Sequence, residues 1–163
     1  MQEIIIVVYV KRKTRQILHL SIPKIKTKVR IPLTNGECQF YSFEGLCSYK
    51  EHIALSFKQA TLEERPIVAM HHGCFKNGAL ELESCVCGEK LWESIQYFSD
   101  NSGILLYLAQ DSCCDMRYPD VRNYKAAAQM LTIMEVKTIR LLSSDAEQVR
   151  QLQEQGIGVV EAF

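Results

Sequence analysis

The apolar positions of this chain follow two periodicities, and the change from one to the other comes near its middle. In the first half, short β-branched and apolar runs alternate with polar turns. Residues 3–10 (Glu-Ile-Ile-Ile-Val-Val-Tyr-Val) read as a strand, Lys11–Arg15 as a polar turn and Ile17–Ile22 as a return strand, which Pro23 ends. Further short strands are expected at 29–33, 38–43, 52–57 and 66–71, with Asn35-Gly36 as a tight turn between the first two of these. This half reads as mostly antiparallel β.

In the second half the period lengthens. Leu91, Trp92, Ile95 and Phe98 fall on one face of a helix over 89–98. Gly103–Ala109 is a continuous apolar run of the kind a buried strand carries. Asp120 can cap a helix on which Tyr124, Ala127, Ala128, Leu131 and Met134 share a face. Lys137–Leu142 reads as a strand. Ser144-Asp145-Ala146-Glu147 is a capping-box sequence, Gly156 a fitting helix stop and Ile157–Glu161 a last strand. A strand–helix–strand–helix–strand order implies parallel crossovers. The expected fold class is therefore mixed α/β: a β-rich N-terminal half and a C-terminal strand–helix layer. Residues 1–28 form a basic hairpin extension and 29–163 the main domain.

Composition narrows the function. The 163 residues are 47% hydrophobic and 23% charged, an ordinary globular balance with no membrane-length apolar run. The short run Ile4–Val10 has its basic cluster behind it, the reverse of a secretory signal, so a cytoplasmic protein is expected. The 19 Lys and Arg balance the 19 Asp and Glu, which argues against a nucleic-acid binder. That zero hides a split. Eight basic and no acidic residues lie between Ile4 and Gly36, whereas 18 acids face 11 bases from Glu37 onward. The basic stretch reads as a solvated hairpin facing an acidic body or a second subunit, or as an anion-binding face.

The densest chemistry is His71-His72-Gly73-Cys74, then ten residues, then Cys85-Val86-Cys87. Three thiols within 14 residues can converge on one borderline cation, for which zinc is the default. Cys85 and Cys87, one residue apart, point the same way on an extended backbone. Two other readings stay open. The cysteines can be small buried hydrophobes, or His71 or His72 can be a fourth ligand that closes a structural site. Of the seven cysteines, Cys38 and Cys47 read as core or strand residues, and Cys113 and Cys114 as loop or core. Asp120 is either a simple cap or a proton acceptor, with Arg122 one step into the helix beside a phosphate.

These residues carry a resemblance. Ile31–Gly36, Lys50–Leu55, the cysteine set with Gly88, Leu105–Leu108, Asp120-Val121-Arg122-Asn123-Tyr124, Arg140–Ser143 and Gly156–Glu161 keep the order and approximate spacing of the GTP cyclohydrolase II family, which this sequence resembles from near Val29 almost to Phe163. The resemblance implies a homodimeric zinc hydrolase of riboflavin biosynthesis. One zinc per chain sits on Cys74, Cys85 and Cys87, with Mg2+ accompanying a nucleotide substrate. It implies that water attacks the imidazole carbon of the guanine base and formate leaves. Asp120 then takes the proton, and Arg122 meets the phosphorus as pyrophosphate departs. His71, Lys90 and Ser143 fall at the substrate. The chain departs from the family pattern at Ala69 (an arginine there), His72-Gly73 (Ser-Glu), Lys90 (a glutamine) and Gln148 (a lysine), and through a shortened 110–120 segment. Those departures keep a second reading alive, a degenerate homologue that retains zinc for structure and acts by binding. A third is a zinc-stabilised module whose basic hairpin docks an acidic partner.

Overall fold

The computed structural model of the chain describes residues 22–34, 36–48, 50–73, 87–109 and 121–163. Seven strands form one sheet: β1 (Lys24–Leu33), β2 (Gly36–Glu44), β3 (Ile53–Phe57), β4 (Ile67–Gly73), β5 (Gly103–Ala109), β6 (Thr138–Leu141) and β7 (Gly158–Ala162), in the order β1-β2-β3-β5-β4-β6-β7. Pairing is antiparallel from β1 through β3 to β5, and parallel from β5 through β4 and β6 to β7. Three helices join the parallel strands: α1 (Cys87–Asp100), α2 (Val121–Ile133) and α3 (Ala146–Glu154).

Strand alternation sorts the core into two layers. Ile104, Leu106 and Leu108 of β5 point toward α2 and α3, where they meet Ala127, Met130, Leu131 and Leu152. Leu105 points the other way, with Phe57, Ala69 and Cys38, toward Phe98 of α1. A strand buried on both faces reads as an unbroken apolar run, which is why Gly103–Ala109 was legible without alternation. Gly103 has no Cβ because the Phe98 ring occupies its place, 2.0 Å from where one would sit.

The mixed α/β class and the parallel C-terminal layer are as expected, with several shifts of detail. The strand expected at 66–71 is not part of the antiparallel region: β4 lies between β5 and β6, parallel to both. Helix α1 begins at Cys87, two residues before the start expected at 89. Trp92 is 63% exposed, and Tyr97 takes its expected place beside Leu91 and Ile95 in packing around Phe98. The cap of α3 is Asp145 rather than Ser144: its side chain accepts the Glu147 N–H at 2.9 Å. Glu147 does not reach back to close a box, because its carboxylate takes hydrogen bonds from Arg150 and Gln151. Cys38 is buried on β2 as expected, but Cys47 is exposed in the β2–β3 loop, where its N–H donates to Gln129 Oε1. Strand β1 runs across the boundary expected at 28/29. The hairpin expected before Ile22, and Cys113 and Cys114, lie outside the described residues. Among the described residues, no helix is long and apolar enough to cross a membrane.

Candidate active site

The chain runs β4–α1–β5 toward one edge of the sheet, then crosses back over β4 through α2 to reach β6. Connections diverge around β4, with α1 on one face and α2 on the other. In open parallel sheets ligands bind beyond the carboxyl ends of the strands at such a reversal. The end of β4 is His71-His72-Gly73, and Cys74 follows directly.

Successive residues of a strand face opposite ways, so the two histidines serve different faces. His71 looks toward the α1 side, where its ring stacks on Tyr107 with centroids 5.7 Å apart and planes at 24°. Burial, the neighbouring His72 and the Lys90 ammonium push its pKa down to about 4, so the ring is neutral at physiological pH. Lys90 lies in the first turn of α1, so the charge of that turn acts on this ring. Gly73 is a packing requirement: a Cβ there would lie 2.4 Å from the Tyr107 ring.

His72 looks toward α2, 8% exposed, and meets Tyr124 edge-on with centroids 6.1 Å apart. His52 lies close to it: burial and the charge of His52 both lower the pKa of His72. His52 Nδ1 accepts the N–H of Ala109 at 3.1 Å, which leaves Nε2 as the protonated nitrogen of the neutral ring. Burial and then Lys50 lower its pKa in turn. Tyr124 moves the other way, up to about 12, through burial and then the carboxylates of Asp145 and Glu147. His52 Nε2, both ring nitrogens of His72 and the Tyr124 hydroxyl are buried without a hydrogen-bond partner among the described residues. Leaving such an atom unpaired costs about 1–3 kcal/mol, so this cluster can engage a polar group presented to it.

Ser143 sits just beyond β6, level with the middle of β4, since Val68 pairs with Leu141 and Leu142 N–H donates to Val68 O at 2.8 Å. Its hydroxyl accepts the Asp145 N–H at 3.2 Å and shapes the turn into α3. The structure thus brings His71, Lys90 and Ser143 to one end of the sheet. Cys74, Cys85 and Asp120 lie outside the described residues. Cys87 and Arg122 are placed as backbone only, as the first residue of α1 and the second of α2. Sequence reading missed His52 and Tyr124 as site residues. Tyr124 looked like one more apolar position on its helix, and the only signal for His52 was a histidine starting the buried strand it precedes.

The sequence pattern of the GTP cyclohydrolase II family matches residues 24–118 and 114–163. The chain belongs to the GTP cyclohydrolase II family. It is 35% identical over 154 residues to the GTP cyclohydrolase-2 of Vibrio cholerae, covering 78% of each chain. It is 31% identical over 163 residues to that of Aliivibrio salmonicida, covering 81% of this chain and 82% of the relative. The riboflavin biosynthesis protein RibBA of Staphylococcus epidermidis is 25% identical over 172 residues, covering 90% of this chain and 43% of that protein. Among solved structures, the two-domain 3,4-dihydroxy-2-butanone 4-phosphate synthase RibBX of A. baumannii superposes with a TM-score of 0.52 at 19% identity, over 86% of this chain and 40% of that one. That likeness concerns the fold.

The departures from the GTP cyclohydrolase II pattern now have places. Ala69 packs in the α1-side core with Leu105 and Phe98. His72 and Gly73 end β4, the one with no hydrogen-bond partner for its ring nitrogens among the described residues and the other beneath Tyr107. Gln148 is buried on α3.

Proposed function

We propose that this chain is a zinc-dependent hydrolase that opens the imidazole ring of GTP or a closely related purine nucleotide and releases formate. The observation that carries the reading is positional. The family match spans the sheet, β4 stops one residue before Cys74, and α1, which starts at Cys87, carries the Lys90 charge that acts on His71.

The donor set fits zinc. Three cysteine thiolates are soft anionic ligands, the kind of donor set zinc takes. Cys74, Cys85 and Cys87 would hold the ion. When bound, it supplies the Lewis acidity that makes water a nucleophile at neutral pH. The rest falls to the chain's own side chains. Asp120, directly before α2, accepts a proton. Arg122 binds phosphate near the positive end of that helix. His71, neutral at physiological pH, can accept or donate one hydrogen bond to a heterocycle without presenting a charge. Lys90 adds a cation for the phosphates.

Incubating the zinc-loaded chain with GTP and assaying formate and pyrophosphate tests this. Release of both, abolished in Asp120→Asn with the fold intact, is expected; retained turnover in that variant refutes the assigned base. One observation favours a second reading, a zinc-binding homologue without turnover. Ala69 is buried in the α1-side core, and a side chain at Gly73 would have to displace the Tyr107 ring, so the longer polar side chains of the family are not accommodated there without rearrangement. One zinc per chain with no product from GTP would select that reading.

A further inference from the structure

A cavity of about 680 Å³ opens on the antiparallel half of the sheet, walled by β1–β3, the turn that follows β3 and, from the last turn of α1, Phe98 and Ser99. Its size is ordinary for a small-molecule site. The strand registers build its floor. Arg30 pairs with Gln39 and Gln39 with Ser56, while Lys28 pairs with Tyr41. Paired residues and residues two apart share a face, so Arg30, Gln39 and Ser56 form one polar row across three strands, with Lys28 and Tyr41 in the next.

The row is charged and underused. Lys28 Nζ sits 5.4 Å over the Tyr41 ring. Arg30 has only a loose contact with Glu37, 3.6 Å between two well-exposed groups. Lys58, also in the lining, donates to the Asp100 backbone carbonyl, a neutral acceptor, at 2.6 Å. Three cations thus face one carboxylate, Glu37, among the described residues of the lining. At the inner end of the row Ser56 is 2% exposed, and its hydroxyl has no hydrogen-bond partner among the described residues. A buried hydroxyl at the end of a cationic row suits a multiply charged oxyanion, whose oxygens take charge-assisted hydrogen bonds from several donors at once.

We propose that this cavity binds the phosphate groups of a small molecule, with Lys28, Arg30 and the Ser56 hydroxyl as the receiving groups. It is not part of the candidate active site. Ser56 pairs with Ile104 near the start of β5, whereas His71 pairs with Tyr107, three residues (about 10 Å) further along that strand. The proposal does not rest on turnover of GTP.

Amide spectra of the 15N-labelled full chain, titrated with inorganic pyrophosphate and separately with GTP, test it. Saturable shifts at Gln39, Ser56 and Gln59 are expected. The double variant Lys28→Gln/Arg30→Gln should weaken that response at least tenfold, and Ser56→Ala several-fold. Equal responses to the two probes indicate a free phosphoanion, and a tighter response to GTP a nucleotide; either supports the proposal. Shifts confined to Tyr124 and Ser143, which report the candidate active site separately, would overturn it. So would a response at Gln39, Ser56 and Gln59 that survives unchanged in the double variant, or no response to either probe.

Discussion

In the parallel half of the sheet, the side chains of β5 are buried toward α1 and toward α2 alike, and those of β6 alternate between fully and partly buried. In the antiparallel half, β1 shows the opposite habit. Its charged residues are exposed, and they pair across the surface as Lys24–Glu44 at 2.9 Å, Lys26–Glu51 at 3.5 Å and Arg30–Glu37 at 3.6 Å. Burial of apolar area contributes about 25 cal/mol per Å², whereas an exposed ion pair contributes about 0–1 kcal/mol. Stability is therefore concentrated in the half whose carboxyl end carries the candidate active site. The other half is left free to present charge, which is where the further cavity lies.

The contrast breaks if core and edge substitutions cost alike. Leu106→Ala removes a side chain wholly buried under α2 and should cost about 2–5 kcal/mol, while Val29→Ala on exposed β1 should stay within about 0.5 kcal/mol; urea denaturation of both checks this. Next in size is Gly73→Ala. Its methyl group must displace the Tyr107 ring and unstack it from His71, at a cost of about 1–3 kcal/mol, with altered Tyr107 ring resonances.

A smaller effect is set by pH. His71 titrates near 4 in the folded chain and near its ordinary 6.5 when unfolded. Between those values the unfolded chain binds more protons, so stability is complete above about pH 6.5 and falls as the pH is lowered toward 4. His52, also shifted down, adds to the same trend. The urea midpoint should decline over that window, and His71→Asn should decline less steeply. The smallest effect is at the edge. A double-mutant cycle on Lys24 and Glu44, both about half exposed, should give a coupling below about 1 kcal/mol that vanishes in high salt.

The same contrast explains what could be read from the sequence. Gly103–Ala109 and the Tyr124, Ala127, Ala128, Leu131, Met134 stripe announced themselves because the core they enter is apolar, and apolar periodicity is what a sequence shows most directly. The position of β4 did not, because an apolar run says that a strand is buried without saying which strands flank it. Trp92 misled for a related reason: its place in the period suited the core, but the packing around Phe98 is completed by Tyr97. Within the candidate site, His71 and Lys90 could be named from the motif. The grouping of His52, His72 and Tyr124 depends on three separate elements meeting, and no local pattern encodes that.

The proposed function makes the end of β4 part of a hydrolytic centre for a purine nucleotide. The most direct measurement uses GTP labelled at the imidazole carbon between its two ring nitrogens, with the zinc-loaded chain. Labelled formate released in step with GTP loss, and absent in Cys74→Ser, is the predicted result. Intact GTP after prolonged incubation with a chain shown to hold one zinc would contradict it.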